Sequence, residues 1–183
     1  MRVITGSARG RRLETLPGDA TRPTADKVKE GLFSAIQFEI EGRHVLDLFA
    51  GSGQLGIEAL SRGAADCVFV DRNTDAVQII KKNLQSTGLY AQSQVVGTDA
   101  LSYIIRPGTK FDLVFLDPPY ASGLLEQSLR GVVPLVNPGG VIICESDRDG
   151  VLPDVVGSFR LDRVRRYGRV NIWIYRMAEE AEV

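Results

Sequence analysis

The sequence predicts an α/β protein built on a doubly wound, mostly parallel sheet of seven strands. From residue 43 onward, short apolar runs rich in β-branched residues alternate with segments whose apolar side chains recur at helical spacing. This alternation is typical of right-handed crossovers that cover both faces of a parallel sheet. The last two strand-like segments have no helix between them, which predicts a C-terminal antiparallel hairpin. We expect one domain over residues 1–183, comprising an N-terminal arm and helix (1–42), a catalytic core (43–177) and a frayed tail (178–183).

The N-terminal segment is predicted to be an irregular or hairpin-like arm followed by a helix. Residues 1–22 are mainly polar and basic, and their few apolar anchors are Val3, Ile4 and Leu13. A helix is expected to start in the TRPT sequence at 21–24, because proline is favoured in a first turn. Apolar residues at helical spacing then share one face of this helix, at positions 28, 32, 35 and 36.

The core elements follow in order along the chain. Strands are predicted at 44–49, 67–71, 94–96, 111–117, 141–145, 159–166 and 170–176. Helices are predicted at 54–62, 75–87, 100–105 and 124–136. Gly63 and Gly88 stop the first two of these helices, as glycine commonly does. An Asn-Pro-Gly-Gly sequence at 137–140 predicts a turn before the fifth strand.

Composition and charge exclude some classes of protein. No apolar run reaches the length of a membrane span, and the first residues lack the apolar core of a signal peptide. Cys67 and Cys144 lie in apolar strand-like runs, which favours core thiols in a reducing compartment. The two cysteines and one histidine supply too few ligands for a typical metal site. The sequence therefore predicts a cytoplasmic protein without a metal centre.

Charged residues are balanced overall but unevenly distributed. The formal net charge is −1, so bulk charge does not indicate a nucleic-acid-binding protein. Residues 2–29 nevertheless hold seven basic against three acidic side chains, and five arginines cluster between 160 and 169. Each cluster alone could be an ordinary solvated face. Together they permit a local phosphate-binding surface.

A glycine-rich loop follows the first predicted strand. Gly51, Gly53 and Gly56 form a G-x-G-x-x-G sequence, and Asp71 ends the second strand twenty residues after Gly51. Taken alone, this pattern matches a dinucleotide fingerprint with the acid on a ribose hydroxyl, so an NAD-dependent oxidoreductase is one hypothesis. Asp47, at the end of the first strand, argues against it, because a carboxylate there would repel a pyrophosphate. Three residues also separate this strand end from the first glycine.

S-adenosyl-L-methionine fits the same residues better. Its ammonium and sulfonium groups would be attracted to Asp47, and its ribose would suit Asp71. Asp99, which follows the third strand, could accept a hydrogen bond from the adenine amino group. Gly51 and Gly53 would let the backbone approach the ligand closely.

The sequence FDLVFLDPPY at 111–120 predicts the reacting end of the site. A buried strand ends there in an acid, two prolines and an aromatic ring. The Asp117 carboxylate and the Pro118 carbonyl could accept both hydrogens of a nucleobase amine and free its lone pair for in-line attack on a methyl group. Tyr120 offers a face on which the base could stack. Since a base within a duplex cannot reach such a pocket, the target must be flipped or unpaired.

Several segments together resemble the class I S-adenosylmethionine-dependent methyltransferases. They are LDLFAGSGQLGIEALSRGA (46–64), FVDRN (69–73) and LDPPY (116–120). The N-terminal G-x-x-x-G-R-x-L (6–13) and TRPTADKVKEGLFSAI (21–36) resemble, more narrowly, the RsmD family of small-subunit ribosomal RNA guanine-2-amino methyltransferases. The resemblance covers nearly the whole chain. It implies a Rossmann-like fold and methylation of a loop guanine of 16S ribosomal RNA (a guanine-966-type site) on an assembled or assembling small subunit.

The resemblance also implies a role for individual residues. Those expected to hold the cofactor are Asp47, Phe49, Gly51, Gly53, Asp71, Arg72, Asp99 and Ala100. Those expected to hold the base and support the reaction are Asp117, Pro118 and Tyr120. Those expected to contact RNA are Arg9, Arg11, Arg12, Arg22 and Lys27.

Other functions stay open at this stage. Asp-Pro-Pro-Tyr occurs in methyltransferases that act on DNA adenine, RNA guanine and other amines, so it predicts the reaction type and leaves the substrate open. A DNA adenine enzyme usually needs an added target-recognition region, for which this chain has little room, and that favours a structured RNA recognised by its shape and exposed loop. A non-catalytic RNA-binding or assembly factor that retains a cofactor pocket is the remaining hypothesis.

Overall fold

The structure, a computed structural model, is organised around one eight-stranded sheet and describes residues 1–17, 23–106, 108–120 and 122–177. The strands are β1 (His44–Asp47), β2 (Asp66–Asp71), β3 (Ser93–Gly97), β4 (Phe111–Leu116), β5 (Val136–Asp147), β6 (Val155–Val156), β7 (Phe159–Tyr167) and β8 (Val170–Met177). The helices are α1 (Pro23–Ala35), α2 (Gln54–Ser61), α3 (Thr74–Thr87), α4 (Ala100–Ile104) and α5 (Leu124–Val132). Two short 3₁₀ turns lie at Tyr90–Gln92 and Val133–Leu135.

The strand order is β3-β2-β1-β4-β5-β8-β7-β6. Strands β1 to β5 are parallel, whereas β8 lies antiparallel between β5 and β7. The chain winds outward from β1 to β3 and then returns to place β4 on the other side of β1. In open α/β sheets, ligands bind beyond the carboxyl ends of the strands at this reversal. The doubly wound, mostly parallel sheet with a C-terminal antiparallel hairpin, predicted from the sequence, is confirmed.

Each face of the sheet is covered by its own group of helices. On one face, α1, α2 and α3 pack against the row that includes Val45, Leu113 and Phe115. On the other face, α4 and α5 pack against the row that includes Leu46 and Val114. The alternation follows from the period of two along a strand, which sends successive side chains to opposite faces. Two apolar cores therefore clamp the central strands and hold their carboxyl ends in fixed positions.

The N-terminal arm is a hairpin anchored on a buried acid of α2. Arg2 and Arg12 form an antiparallel bridge, which confirms the hairpin interpretation of this segment. The Glu58 carboxylate accepts hydrogen bonds from the backbone N–H groups of Ile4 and Thr5, at 2.8 Å and 3.0 Å.

Two cations complete the anchor at Glu58. The Nζ atom of Lys29, on α1, lies 3.6 Å from Glu58 Oε2, and the Nε atom of Arg62 donates to Oε1 at 2.9 Å. Lys29 and Glu58 are only 2% and 0% exposed, so each would be costly to bury without the other. Burial is also the main cause that lowers the pKa of Lys29 from its usual value. The arm, α1 and α2 are thus held together at one buried ionic cluster.

Three local predictions are wrong. The sheet has eight strands because the two-residue β6 pairs with β7, and so short a strand shows no alternating pattern in the sequence. The predicted turn at 137–140 lies within β5, where Val136 pairs with Phe111 and Val141 with Leu113. The intervening residues form an irregularity in the strand, in which Gly139 takes a φ of 76°.

The third difference concerns the end of α5. The helix ends at Val132 and not at residue 136, because a 3₁₀ turn containing Pro134 continues from it. Residues 18–22, which include the predicted RNA-contacting Arg22 and the predicted start of the first helix, lie outside the described residues, as does the predicted tail at 178–183. Within the described ranges, no helix combines the length and apolarity that a membrane crossing requires.

Candidate active site

A large cavity opens at the carboxyl ends of β2, β1 and β4. Its volume is about 790 Å³, within the usual range of small-molecule and cofactor sites. Seven of the eight residues predicted to hold a cofactor line this cavity, namely Asp47, Phe49, Gly51, Asp71, Arg72, Asp99 and Ala100. Asp117, Pro118 and Tyr120 line it as well. The fold therefore brings the residues of both predicted sites to one crevice.

The glycine-rich loop is held from below by two strand-end carboxylates. The N–H of Gly56 donates to Asp47 Oδ2 at 2.9 Å, and the N–H of Gly51 donates to Asp71 Oδ2 at 2.9 Å. These bonds tie both ends of the loop to β1 and β2. Gly51 has a φ of 54°, and a Cβ added to it would meet no atom within 4 Å, so its open side faces the crevice.

Gly53 has a different place in this loop. It is not among the cavity-lining residues of the described chain, and its φ of 80° puts it at the N-terminal cap of α2. A Cβ added to Gly53 would lie 3.3 Å from Ile57 Cδ1 and 3.4 Å from two carbon atoms of Ile80. The geometry thus gives Gly53 a role in the turn and in helix packing.

Asp47 is a carboxylic acid buried beneath the loop. It is only 2% exposed, and burial raises its pKa to about 7, with the hydrogen bond from Gly56 lowering it and the neighbouring Asp71 charge raising it. An acid with a pKa near neutrality is partly protonated at neutral pH, and a cation bound beside it would favour the ionised form. Asp47 is therefore suited to a ligand that brings positive charge to the end of β1.

The other acids of the crevice are oriented by backbone N–H groups. Asp71 Oδ1 accepts from the N–H of Asn73 at 2.8 Å, in addition to its bond with Gly51. Asp99 Oδ2 accepts from the N–H of Ser102 at 3.0 Å and so caps α4. Each carboxylate keeps further acceptor capacity, because an ionised carboxylate offers about four lone-pair sites. Both side chains are partly exposed to the cavity.

The loop after β4 forms the wall between two cavities. Pro118 is buried, whereas the Tyr120 ring is 49% exposed and its hydroxyl donates to Glu145 Oε1 at 2.8 Å. A second cavity of about 310 Å³ lies beside the first. The residues that line both are Pro118, Pro119, Tyr120, Ser122 and Glu145. The Tyr120–Glu145 pair thus stands where the two cavities meet.

Glu145 lines both cavities, although the sequence did not predict it as a site residue. It follows Cys144, which pairs with Leu116, so Asp117 and Glu145 come next on two neighbouring parallel strands. Burial raises the pKa of Glu145, and the hydrogen bond from Tyr120 opposes that rise. Burial and the nearby Glu145 charge together raise the pKa of Tyr120, so this phenol keeps its proton as a donor. Glu145 could have been recognised as an acid at the end of the fifth predicted strand. The sequence alone did not show that this strand pairs with the strand that carries Asp117.

The predicted RNA-contacting residues lie on the arm and on α1. Arg9, Arg11, Arg12 and Lys27 are all exposed. The turn of the arm packs at the end of α2, where the N–H of Ala8 donates to Ser61 Oγ at 2.9 Å.

The base of the same arm reaches the larger cavity. Met1 and Leu16 line its wall, a contribution that the sequence did not predict. Asn83 fixes this end, because its Oδ1 accepts from the N–H of Glu14 at 2.8 Å and its Nδ2 donates to Ser52 O at 2.9 Å. The basic arm therefore runs the length of α2, about 12 Å for eight residues, and ends at the crevice.

A second basic segment lies at the same edge of the sheet. Tyr167 and Asp147 both pair with Val170, so the β7–β8 turn lies beside the carboxyl end of β5. Arg166 and Arg169 are exposed at this turn. The C-terminal arginine cluster thus extends to the edge on which the two cavities open.

Comparison with solved structures establishes the class of fold. A structure titled "Putative methyltransferase yhhF from Escherichia coli" superposes on this chain with a TM-score of 0.87, at 35% sequence identity and over 97% of each chain. The α/β fold predicted from the sequence is that of the class I methyltransferases.

Within that class, the chain belongs to the family described as "Conserved hypothetical protein 95", whose family model matches residues 1–176. Its curated relatives include the "Putative rRNA methyltransferase YlbH" of Bacillus subtilis, which is 44% identical over 96% of this chain and 98% of the relative. They also include the "Ribosomal RNA small subunit methyltransferase D" of Escherichia coli K12, 35% identical over 100% of this chain and 92% of the relative. The resemblance to the RsmD family is confirmed, and it favours a methyltransferase over the nicotinamide-dependent alternative.

The raised pKa of Asp47 predicts how the free energy of unfolding depends on pH. Because its pKa is about 7 in the folded state against 3.8 ordinarily, the folded protein holds a proton that the unfolded chain has lost between these two values. The free energy of unfolding should therefore fall as pH rises towards 7 and level off above it. Between pH 5 and pH 7 this group alone should lower it by roughly 2 kcal/mol, because the slope of about 1.4 kcal/mol per pH unit decreases as pH approaches the folded pKa. Asp47→Asn, whose amide imitates the protonated acid, should lose this decline.

Urea unfolding at pH 5 and pH 8 measures the effect. The exposed Asp149, in the loop after β5, provides the control. The free energy of unfolding of Asp149→Asn should decline between these pH values as much as that of the wild type. An equal decline in the wild type and in Asp47→Asn would show that Asp47 is ionised in the folded protein at both pH values.

Proposed function

We propose that this protein transfers a methyl group from S-adenosyl-L-methionine to the exocyclic 2-amino group of a guanine in 16S ribosomal RNA. One observation carries the proposal. The loop Asp117-Pro118-Pro119-Tyr120 opens onto a cavity whose other walls hold the strand-end acids Asp47, Asp71 and Asp99. One edge of the sheet thus offers a place for a cationic nucleoside cofactor and, directly beside it, acceptors for an amine.

The larger cavity fits the cofactor in size and in chemistry. S-adenosylmethionine, when bound, supplies an electrophilic methyl group on a sulfonium. Asp71, already oriented by two backbone N–H groups, would hold the ribose hydroxyls, and Asp99 would accept from the adenine amino group. Asp47 would compensate the positive charge near the end of β1. The open side of Gly51 leaves room for close approach of the ligand to the backbone.

Asp117 and Pro118 would activate the amine by position. An exocyclic amine of a nucleobase is a weak nucleophile, since its lone pair is delocalised into the ring. The Asp117 carboxylate and the Pro118 carbonyl would each accept one N–H, turning the nitrogen towards tetrahedral geometry and its lone pair towards the methyl group. Asp117 would also receive the proton that the amine nitrogen loses once it carries the methyl group.

Tyr120 would hold the plane of the base. Its hydroxyl is fixed to Glu145, so the half-exposed ring presents a set orientation to both cavities. Stacking of a base on such a ring contributes about 1–3 kcal/mol. A flipped or unpaired nucleotide would enter through the smaller cavity, whose wall includes the apolar Leu125 and Leu152.

Ribosomal RNA is proposed as the substrate because of the family and the basic surface. Both curated relatives carry names that state methylation of ribosomal RNA, and one of them names the small subunit. The exposed arginines of the arm lie along α2, and those of the β7–β8 turn lie at the edge of the sheet on which the crevice opens; both suit a folded RNA. Guanine is proposed on the RsmD family resemblance, in which the 2-amino group receives the methyl.

Replacing Asp117 tests the reaction directly. In an assay with labelled S-adenosylmethionine and small subunits that lack the modification, wild-type protein should label 16S RNA at a guanine N2. Asp117→Ala should lower the rate of methyl transfer by about 100-fold or more, because it removes a preorganised acceptor. Binding of S-adenosylhomocysteine, measured by calorimetry, should largely survive, since the proposed contact of Asp117 is with the base.

Asp149→Ala serves as the matched control, because it removes an exposed acid near the site that does not line either cavity. It should transfer methyl groups at the wild-type rate. The absence of label in 16S RNA with the wild-type protein would overturn the proposed function, and full activity of Asp117→Ala would overturn the proposed mechanism.

The basic arm makes a separate prediction about RNA binding. Arg11 and Arg12 are exposed on the hairpin, so their replacement by Ala should weaken RNA binding without disturbing the buried anchor at Glu58. If both contact phosphate, the slope of log K against log salt concentration should become shallower by about 1.4–1.8. Filter binding over a series of salt concentrations measures this slope.

Two basic residues outside the arm and the β7–β8 turn supply the control. Arg106 and Lys110 are exposed and lie between the end of α4 and the start of β4, away from the crevice. Their double replacement by Ala should leave the salt slope at the wild-type value. An unchanged slope in the Arg11/Arg12 variant would show that these charges are only solvated.

A further inference from the structure

The reaction proposed above assigns no direct contact with the base to Glu145. Its carboxylate stands at the junction of the two cavities, one strand away from Asp117. In a parallel pair, residues that come next along neighbouring strands project to the same side of the sheet. The register Leu116↔Cys144 therefore sends Asp117 and Glu145 towards the same crevice.

The hydrogen bonding of Glu145 leaves it able to bind a ligand. Tyr120 donates to one oxygen atom, Oε1, and fixes the carboxylate in place. An ionised carboxylate accepts about four hydrogen bonds, so the second oxygen and the remaining lone pairs keep their capacity. Burial disfavours the charge, as the raised pKa of Glu145 shows, and a donor from a ligand would offset that cost.

The edge of guanine supplies such a donor next to the reacting group. Its N1–H lies beside the 2-amino group, so a base whose amine faces Asp117 presents a second donor to the neighbouring strand. Adenine N1 and cytosine N3 are hydrogen-bond acceptors, so their lone pairs would be repelled by those of the carboxylate. A carboxylate at this place accordingly distinguishes guanine from the other two bases that carry an amine.

We infer that Glu145 is the residue that selects guanine, by accepting a hydrogen bond from N1–H while Asp117 and Pro118 hold the 2-amino group. This inference rests on the proposed function and adds the basis of its base specificity. Tyr120 then has two tasks, since its ring stacks on the base and its hydroxyl orients the selecting carboxylate. Glu145 takes no part in the transfer of the methyl group itself.

The test uses 2-aminopurine, which keeps the 2-amino group but has an acceptor in place of N1–H. Small subunits are reconstituted with 16S RNA carrying either guanosine or 2-aminopurine riboside at the guanosine that the labelling assay maps. Wild-type protein should favour guanosine by at least tenfold in kcat/KM. Glu145→Gln offers an amide donor to the acceptor of 2-aminopurine, so this preference should shrink at least tenfold. Comparing the two ratios cancels the intrinsic difference in reactivity between the two bases.

Two controls separate this role from a structural one. A glutamine can still accept from Tyr120, so if Glu145 only supports the tyrosine, the preference should stay unchanged in Glu145→Gln. Asp149→Asn makes the same change of charge in the neighbouring loop, outside both cavities, and should retain the wild-type preference. Calorimetric binding of S-adenosylhomocysteine by Glu145→Gln confirms that the variant is folded.

The outcomes are distinct. A preference that shrinks in Glu145→Gln alone supports the inference. A preference that is unchanged, with guanosine still methylated by the wild type, overturns the inference and leaves the proposed function standing. Wild-type protein that transfers no methyl group to guanosine overturns the proposed function, and the inference with it.

Discussion

The site depends on the two hydrogen bonds by which Asp47 and Asp71 hold the glycine-rich loop from beneath. Each acid ends a central parallel strand, and each accepts one backbone N–H of the loop at 2.9 Å. The two apolar cores fix the strands, and the hydrogen bonds to the strand ends therefore fix the loop. The helix α2 begins directly after this loop. The arm is fixed on the same helix through Glu58. The glycine-rich loop and α2 therefore position both the wall of the larger cavity and the basic arm.

The arrangement of strands in the sheet also determines where charged side chains lie on the molecule. Five strand-end or post-strand acids meet at the crevice, whereas exposed arginines lie on the arm along α2 and on the β7–β8 turn at the same edge of the sheet as the crevice. The acidic interior suits a cationic cofactor and an amine donor, and the basic surroundings suit a phosphate backbone. Tyr120 and Glu145 line both cavities, and the Tyr120 hydroxyl donates to the Glu145 carboxylate there. A protein with a net charge of −1 can in this way offer RNA a locally positive surface.

Much of this arrangement was predictable because local patterns determine it. The alternation of strands and helices predicts the sheet, and the ends of apolar strands predict that Asp47, Asp71 and Asp117 lie at the edge where the larger cavity opens. Glu145 was missed, since its place beside Asp117 follows from the pairing of β4 with β5. The buried Lys29–Glu58 pair was missed for a similar reason, because both residues look like ordinary helix-surface charges in the sequence. The two-residue β6 and the irregular start of β5 depend on pairing partners that no local pattern encodes. Features that depend on contacts between distant segments are therefore the ones that the sequence does not predict.

In the proposed reaction, one crevice holds a methyl donor in its larger cavity and a flipped guanine in its smaller one. A structure of the protein bound to a small ribosomal subunit, with the cofactor analogue sinefungin present, tests this most directly. We expect sinefungin between Asp47 and Asp99 and one unstacked guanine whose 2-amino group contacts Asp117 and Pro118. An analogue bound elsewhere, or an RNA whose bases all remain stacked outside the smaller cavity, would contradict it.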